Sequence, residues 1–259
     1  MKAGETMTTD QEEGGNSCPF DRELFPKSEG WTFRQYRYGN ILFRQDQTIQ
    51  SLSLSRYGEY KEHELGLLRQ ILRPGDCVLE TVANYGEQTI PLAQHVGLQG
   101  TVLAFEPNNK IRAGLTNNIR HNSLTNVMIH GDDLPGGSSL DGLLLRKCSL
   151  VKITGGHGND ILDSGRDLLL RLRPYLYVKN DQSISRSQEM NELLLSLGYS
   201  LWWHPVPLYN GENFNKEVEN VFGNLATVNI VGAPKEINLN IKLPPVSQAT
   251  DYWWRLFRS

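Results

Sequence analysis

Apolar and polar positions along the chain follow two periods, and their alternation predicts short strands separated by helices. Near the beginning, aromatic and polar residues alternate over 31–38 and again over 41–43. Gly39-Asn40 lies between these runs and predicts a hairpin with a two-residue turn, because both residues tolerate positive φ. Residues 51–57 are predicted to continue as an extended piece. A leucine stripe predicts an amphipathic helix over 62–72.

From residue 77 onward, short apolar runs alternate with amphipathic stretches of helical length. The predicted strands cover 77–81, 101–105, 127–130, 150–153, 175–178, 199–203 and 226–231. The predicted helices cover 87–96, 109–122, 161–172 and 190–197. Strands that alternate with helices are typical of βαβ units, so the pattern predicts an α/β fold with a parallel sheet.

The composition of the two ends divides the chain into four predicted parts. Residues 1–30 are polar and are predicted to form a flexible tail, and 31–60 form the hairpin and extended region. Residues 61–235 form the α/β domain. Residues 236–259 are rich in proline and end in an aromatic cluster, which we expect to dock on the domain because such residues would otherwise form an exposed apolar patch.

Charge and cysteine content exclude several classes of protein. The 259 residues contain 26 Lys+Arg and 29 Asp+Glu, a formal net charge of −3, so the broad basic surface of a nucleic-acid-binding protein is not expected. No apolar run approaches the length of a membrane span, and residues 1–30 hold no apolar core of a secretion signal. Three cysteines without metal-site spacing predict no metal and a reducing, cytoplasmic location.

Candidate binding residues follow the predicted strands, because ligands of open α/β sheets bind at the carboxyl ends of the strands. Glu106 follows the second strand of the domain, where a carboxylate can accept hydrogen bonds from both ribose hydroxyls of a nucleotide. Asp132 follows the third strand, where an adenine amino group would lie. The alternative for each acid is a helix cap or a solvated turn. Together these residues predict a nucleoside-type ligand.

Several segments, in their order and spacing, resemble the FkbM family of methyltransferases that use S-adenosylmethionine. They are Tyr-Gly-Glu-Tyr-Lys-Glu-His-Glu-Leu at 57–65, Leu-Arg-Pro-Gly-Asp at 72–76, Ala-Phe-Glu-Pro at 104–107, and the segments 150–153, 175–178 and 207–214. The similarity covers about residues 40–235. It implies a Rossmann-like class I methyltransferase fold, with a mostly parallel seven-stranded sheet, helices on both faces and a small hairpin before it. It also implies methyl transfer from S-adenosylmethionine to a hydroxyl of a sugar or natural product.

The resemblance implies a set of cofactor-binding residues around the first loop, which reads Glu-Thr-Val-Ala-Asn-Tyr-Gly at 80–86 where the family has D-V-G-A-N-x-G. These residues are Glu59, Glu80, Ala83, Asn84, Gly86, Glu106 and Asp132. Val82 replaces the first glycine of the motif and would put two methyl groups where the methionine carboxylate should lie. Cofactor binding therefore depends on Val82.

The catalytic motif departs further from the family pattern K-I-D-V-E-G. Thr154 and Gly156 stand in place of its two acids, and Lys179 stands where an acid commonly follows the fifth strand. His157 and His204 are the candidate bases, although a histidine in a loop is often only solvated. With Thr154 and Lys179 they make up the predicted catalytic set.

The resemblance also implies a substrate-binding set, Asn180, Asn210 and Asn213, whose alternative role is turn capping. We expect a small-molecule or glycan acceptor and no nucleic acid or membrane partner. Two main readings stay open. The first is an active O-methyltransferase with a rewired site. The second is an inactive pseudomethyltransferase that serves as a binding or scaffolding module, with a second copy or a partner protein. A third is a different reaction on a small molecule.

Overall fold

A computed structural model describes residues 22–131, 134, 139–180 and 183–254. The strands are β1 (Trp31–Tyr36), β2 (Gly39–Arg44), β3 (Cys77–Thr81), β4 (Thr101–Phe105), β5 (Val127–His130), β6 (Leu150–Ile153), β7 (Tyr175–Lys179), β8 (Tyr199–Pro207), β9 (Ala226–Pro234) and β10 (Pro245–Val246). The α-helices are α1 (Ile49–Tyr57), α2 (Glu62–Ile71), α3 (Thr89–Val96), α4 (Asn109–His121), α5 (Gly158–Asp163), α6 (Arg166–Leu172) and α7 (Ile184–Ser196). Short 3₁₀ turns lie at Lys27–Glu29 and Asp141–Leu143.

The central sheet has the strand order β10-β8-β9-β7-β6-β3-β4-β5. Strands β3 to β7 are parallel to their neighbours in this group, and β9 runs antiparallel between β7 and β8. The prediction of a mostly parallel sheet is confirmed. Seven of its eight strands are the predicted ones, and the two-residue β10 from the C-terminal segment adds an eighth. The strand order reverses between β3 and β6, which places a ligand crevice beyond the carboxyl ends of these two strands.

Apolar clusters cover the sheet on both faces. Adjacent residues of β3, Val78 and Leu79, belong to two different clusters because successive strand side chains point to opposite faces. Leu65 and Leu68 of α2 pack in the cluster of Val78, whereas helices α5 to α7 contribute to the cluster of Leu79. Strands buried on both faces require helices on both sides, and this part of the prediction is confirmed. Among the described residues no helix is long and apolar enough to cross a membrane.

The hairpin forms two residues earlier than predicted, with Arg37 and Tyr38 in the turn and Gly39 in β2, opposite Tyr36. A contact with α4 explains the difference. The side-chain amide of Asn122 accepts a hydrogen bond from the Asn40 amide and donates one to the Asn40 carbonyl, at 3.1 and 2.8 Å. Gly39 has φ 132°, and a Cβ there would meet Asn122 Oδ1 at 2.1 Å. The close approach of Asn122, and not the turn, therefore requires a glycine at this position.

The prediction of an extended piece over 51–57 is wrong, because α1 covers these residues. The Thr48 hydroxyl accepts a hydrogen bond from the Ser51 amide and caps the helix, and Gly58 ends it in the left-handed conformation. Leu54 and Tyr57 are buried on one side of the helix. The alternation of serine and leucine in this segment suggested a strand, but the cap and the glycine at its ends are helix signals.

The helix predicted over 161–172 is divided into α5 and α6. The Ser164 hydroxyl donates to the Ile161 carbonyl at 2.7 Å, and a Cβ on Gly165 would meet Leu140 at 2.6 Å. The break between α5 and α6 therefore allows Leu140 to pack closely against Gly165. Helix α7 begins at Ile184, six residues before the predicted helix, because the Ser183 hydroxyl caps it by accepting a hydrogen bond from the Arg186 amide.

The described part of the C-terminal segment, residues 236–254, lies on the domain through both apolar and polar contacts, and the rest of the predicted aromatic cluster lies outside the described residues. Trp253 packs against the cluster that contains Leu79. The Asn191 side chain of α7 donates to the carbonyl oxygens of Ala249 and Asp251, at 3.3 and 3.1 Å. These contacts join residues more than 50 positions apart in the chain and hold the segment across α7.

Candidate functional site

The loop after β3 has an unusual backbone. Val82, Asn84 and Gly86 have φ values of 53°, 50° and 87°, in the left-handed region that glycine prefers. The Ala83 amide donates to the carbonyl oxygen of Phe105 at 2.9 Å, which fixes the loop against the end of β4. A Cβ on Gly86 would meet Leu115 at 2.7 Å, so this glycine is required. The loop thus has the left-handed backbone that allows a ligand to approach closely, but the β-branched residue Val82 occupies its first left-handed position.

Glu106 lies at the carboxyl end of β4, beside the first loop. Its Oε2 accepts a hydrogen bond from the Asn84 amide and its Oε1 accepts one from the Asn108 amide, both at 2.9 Å. The side chain is 2 % exposed. These contacts hold the carboxylate at the end of β4, where the sequence predicts a ribose-binding acid, and they also stabilise the loop and the start of α4.

The Val82 side chain lies near Gly155, in the loop after β6. Its Cγ2 lies 3.4 Å from the position that a Cβ on Gly155 would take. This is the point where the strand order reverses, so an extended ligand that starts at Glu106 and continues toward β6 must pass Val82. The residues present fit the nucleoside half of S-adenosylmethionine. They fit its methionine half only if the Val82 side chain turns away.

Glu80 and Thr154 belong to a buried ion-pair network. Lys152 Nζ lies 3.0 Å from Glu80 Oε1 and 3.6 Å from Glu64 Oε1, and it donates to Thr154 Oγ1 at 3.1 Å. The Thr89 hydroxyl donates to the other oxygen of Glu80 at 2.6 Å. Burial alone would lower the pKa of Lys152, but the carboxylates of Glu80 and Glu64 outweigh burial and raise it. Thr154 and Glu80 are thus brought together by a lysine inside the sheet.

Glu59 joins the hairpin to the segment after β8. Its carboxylate accepts hydrogen bonds from Arg37 Nε at 2.8 Å, from Asn210 Nδ2 at 2.8 Å and from the Phe214 amide at 2.9 Å. Asn213 Nδ2 donates to the carbonyl oxygen of Asn210 at 3.0 Å. The structure therefore brings Glu59, Asn210 and Asn213 together, with the two asparagines in the turn-capping arrangement that was their alternative role.

His204 lies in a groove of about 710 Å³ between α2, β8 and the C-terminal segment. Asn210, Glu62 and His63 also line this groove. His204 Nδ1 is 2.9 Å from the Tyr177 hydroxyl, which leaves Nε2 as the ring nitrogen for a ligand. Burial lowers the pKa of His204, so the imidazole is neutral near pH 7 and can accept a proton.

His157, Lys179 and Asn180 do not line this groove. His157 stands before α5 with its side chain 68 % exposed, and its Nδ1 is 3.7 Å from Asp160. Lys179 is the last residue of β7. Asn180 is buried, and its side chain donates to Ser187 Oγ at 3.1 Å. Asp132 lies outside the described residues. The structure thus places the two candidate histidines in different surroundings, and only His204 is held by a side chain in the interior.

Sequence reasoning missed the buried charges of Lys61, Glu64 and Glu87. Lys61 Nζ lies 3.8 Å from Glu64 Oε2, and burial lowers the pKa of this lysine. Burial also raises the pKa of Glu87 to about 8, with a smaller contribution from Glu80, and Glu87 Oε2 has no hydrogen-bond partner among the described residues. Lys152 within an apolar strand was the available signal, because a buried lysine requires acidic partners.

Solved structures with similar folds include a protein in complex with AdoMet and a SAM-dependent O-methyltransferase. The TYW2 protein of M. jannaschii in complex with AdoMet has a TM-score of 0.52 and 16% identity, covering 79% of this chain and 85% of that one. A SAM-dependent O-methyltransferase from Thermotoga maritima has a TM-score of 0.50 and 15% identity, covering 82% and 81%. Trm5b from Pyrococcus abyssi has a TM-score of 0.52 and 13% identity, covering 79% and 56%.

The chain has the Rossmann-like fold of the SAM-dependent methyltransferases. At these identities the likeness defines the fold alone. No protein-family model and no curated protein matches the chain.

Proposed function

We propose that the protein is an S-adenosylmethionine-dependent methyltransferase of the FkbM type, located in the cytoplasm and acting on a hydroxyl of a sugar or natural product. The position of Glu106 carries the proposal. A buried carboxylate at the carboxyl end of β4, bound to the Asn84 amide beside the crevice, is suited to accept hydrogen bonds from ribose hydroxyls. The fold of the comparison structures and the FkbM-like segments at 57–65 and 104–107 support the same function.

S-adenosylmethionine would supply an electrophilic methyl group. Of this chain's residues, Glu106 would hold the ribose, and the backbone of Ala83, Asn84 and Gly86 would lie against the ligand. Val82 would have to rotate out of the crevice, and its left-handed backbone costs a β-branched residue about 1–3 kcal/mol. The protein therefore holds a strained residue at the place where the ligand must pass.

The groove around His204 is the proposed acceptor site. Its lining is largely polar, with Asn210, Glu62 and His63 beside His204, and this suits an acceptor with several hydroxyls. The neutral imidazole would take the proton of the acceptor hydroxyl at Nε2, in the tautomer whose Nδ1–H donates to the Tyr177 hydroxyl and so orients the ring. Replacement of His204 by Gln is expected to lower the rate of methyl transfer by 10²–10⁴-fold.

The test is thermal unfolding with and without S-adenosylmethionine and S-adenosylhomocysteine. At 100 times its dissociation constant a ligand stabilises the fold by about 2.7 kcal/mol, which is a rise in Tm on the order of 5–10 °C. Glu106→Gln is expected to abolish the shift and is preferred to alanine, since Gln can still accept from a backbone amide. Glu189→Gln on the surface of α7 is the matched control. Absence of a shift at millimolar concentrations of both ligands in the wild type would overturn the proposal.

A second candidate function is a noncatalytic binding or scaffolding module, acting with a partner protein or a second copy. The closeness of the Val82 side chain to Gly155 favours it, because a ligand that extends from Glu106 toward β6 would have to pass this side chain. Val82→Gly distinguishes the two candidates. If the wild type binds no S-adenosylmethionine and Val82→Gly binds it, the crevice is closed and the second candidate stands. If both bind equally well, Val82 does not obstruct the ligand and the second candidate loses its support.

A further inference from the structure

A second cavity lies at the amino ends of the parallel strands, at the other end from the loops that carry Val82 and Glu106. It has a volume of about 520 Å³ and is lined by the segments that precede three neighbouring parallel strands, β3, β6 and β7. The sheet itself brings these segments together, since the Ser149 amide donates to the Cys77 carbonyl oxygen at 2.7 Å and the Tyr175 amide donates to the Ser149 carbonyl oxygen at 2.8 Å. Backbone hydrogen bonds of the sheet therefore hold the walls of the cavity together.

Basic side chains dominate the lining of this cavity. Five of them converge on it, and we call it the basic cavity: Arg73, Arg146, Lys147, Arg171 and Arg173. The chain as a whole has a net charge of −3. A concentration of positive charge on an acidic protein is a local feature that the overall composition does not explain.

The one acid in the lining is already engaged. Asp76 accepts a hydrogen bond from the Arg73 amide at 2.7 Å and from the Ser149 hydroxyl at 2.8 Å. Two of the basic residues have acids outside the cavity. Arg173 pairs with Glu236 at 2.8 Å, and the exposed Arg171 pairs with Asp167 at 3.3 Å.

Three basic residues of the cavity make no ion pair with any acid in the part of the chain that the structure describes. Arg73 Nη1 donates to the Gln70 carbonyl oxygen at 3.3 Å, and Lys147 Nζ donates to the Gly75 carbonyl oxygen at 2.6 Å. Arg146 is exposed. Carbonyl contacts orient a cation without neutralising it, so Arg73, Arg146 and Lys147 keep their charge for an anion.

We propose that the basic cavity binds a small soluble molecule with a phosphate group or another multiply charged anionic group. A concave wall of low dielectric focuses the potential of the charges that line it, and guanidinium groups match phosphate oxygens in bidentate hydrogen bonds. The volume accommodates a molecule of metabolite size. Arg73 and Arg173 have another role, because they follow the C-terminal ends of α2 and α6, where the helix dipole stabilises cations. Arg146 and Lys147 follow no helix end, and they carry the inference.

The test is isothermal titration of the full chain with inorganic pyrophosphate, compared with inorganic phosphate, at low and at physiological salt. We expect pyrophosphate to bind more tightly than phosphate and more weakly as salt rises. The double variant Arg146→Ala/Lys147→Ala should weaken pyrophosphate binding by about tenfold or more, through loss of charge-assisted hydrogen bonds. Both residues are exposed on the surface and do not pack in the core, so the double variant is expected to fold.

The matched control is Arg34→Ala/Arg120→Ala, which removes the same charge from exposed positions elsewhere. It should change the dissociation constant by less than about threefold. Equal weakening by the two double variants would mean that pyrophosphate responds only to net charge, and absence of binding to the wild type at millimolar concentration would refute the site directly. Neither result depends on S-adenosylmethionine, so the inference and the proposed function fail or stand separately.

Discussion

Removal of the Lys152 ammonium group should destabilise the protein far more than removal of an exposed lysine. In Lys152→Met the side chain keeps its approximate volume, but Glu80 and Glu64 lose the cation at 3.0 and 3.6 Å. The side chains of both acids are 2 % exposed, so water cannot replace the lysine. Breaking a buried ion pair in this way costs about 3–5 kcal/mol. For a chain of this size, that is a fall in Tm on the order of 6–20 °C.

Urea denaturation and thermal unfolding measure this loss, and the surface lysine Lys110 provides the control. Lys110 Nζ is 3.1 Å from Glu29, but the two side chains are 69 % and 44 % exposed. Lys110→Met should therefore cost less than about 1 kcal/mol. In Lys152→Met, the further change Glu80→Gln should restore part of the stability, because Glu64 still has Lys61 at 3.8 Å whereas the Glu80 carboxylate, left without its cation, is then neutral. Equal destabilisation by Lys152→Met and Lys110→Met would refute the reasoning.

Three further predictions concern the surroundings of the first loop. Burial raises the pKa of Glu87 to about 8, above its value in the unfolded chain, so the folded state binds more protons between about pH 4.5 and 8. The free energy of unfolding therefore falls as pH rises through this window. Glu87→Gln should flatten the dependence of Tm on pH, and an unchanged slope would contradict the assignment. Gly86→Ala should lower the free energy of unfolding by more than about 1 kcal/mol in chemical denaturation, because residue 86 has a φ of 87° and a Cβ there would meet Leu115. Gly66→Ala in α2 is the control: a Cβ there meets nothing, so this variant should be more stable by about 0.5–1 kcal/mol. Asn118→Ala should cost about 2–4 kcal/mol on the same assay, since its amide makes two hydrogen bonds with Leu42 and one with the Tyr85 carbonyl oxygen, each 2.8 Å; a loss below 1 kcal/mol would mean that water replaces them.

The wrong assignments of secondary structure have a common cause. In 51–57 and in the hairpin, the alternation of side chains was the basis of the prediction, and the decisive contacts came from capping groups or from distant residues. Gly39 is a glycine because Asn122 approaches it, 83 positions further along the chain. A contact between residues so far apart cannot be predicted from a local window of sequence. The strands of the sheet were predictable because burial on both faces makes them continuously apolar.

The sequence by itself determined the parallel sheet, the position of Glu106 at the end of β4 and the residue types at Val82, Thr154 and Lys179, because period, loop position and residue type are local properties. Tertiary structure alone decided which side chains meet. Glu59 binds Asn210 across 151 positions, and Lys152 pairs with Glu64 and Glu80 from two other elements. Such pairs form only when the sheet assembles and excludes water, since a buried charge must then find a partner from whichever segment packs beside it.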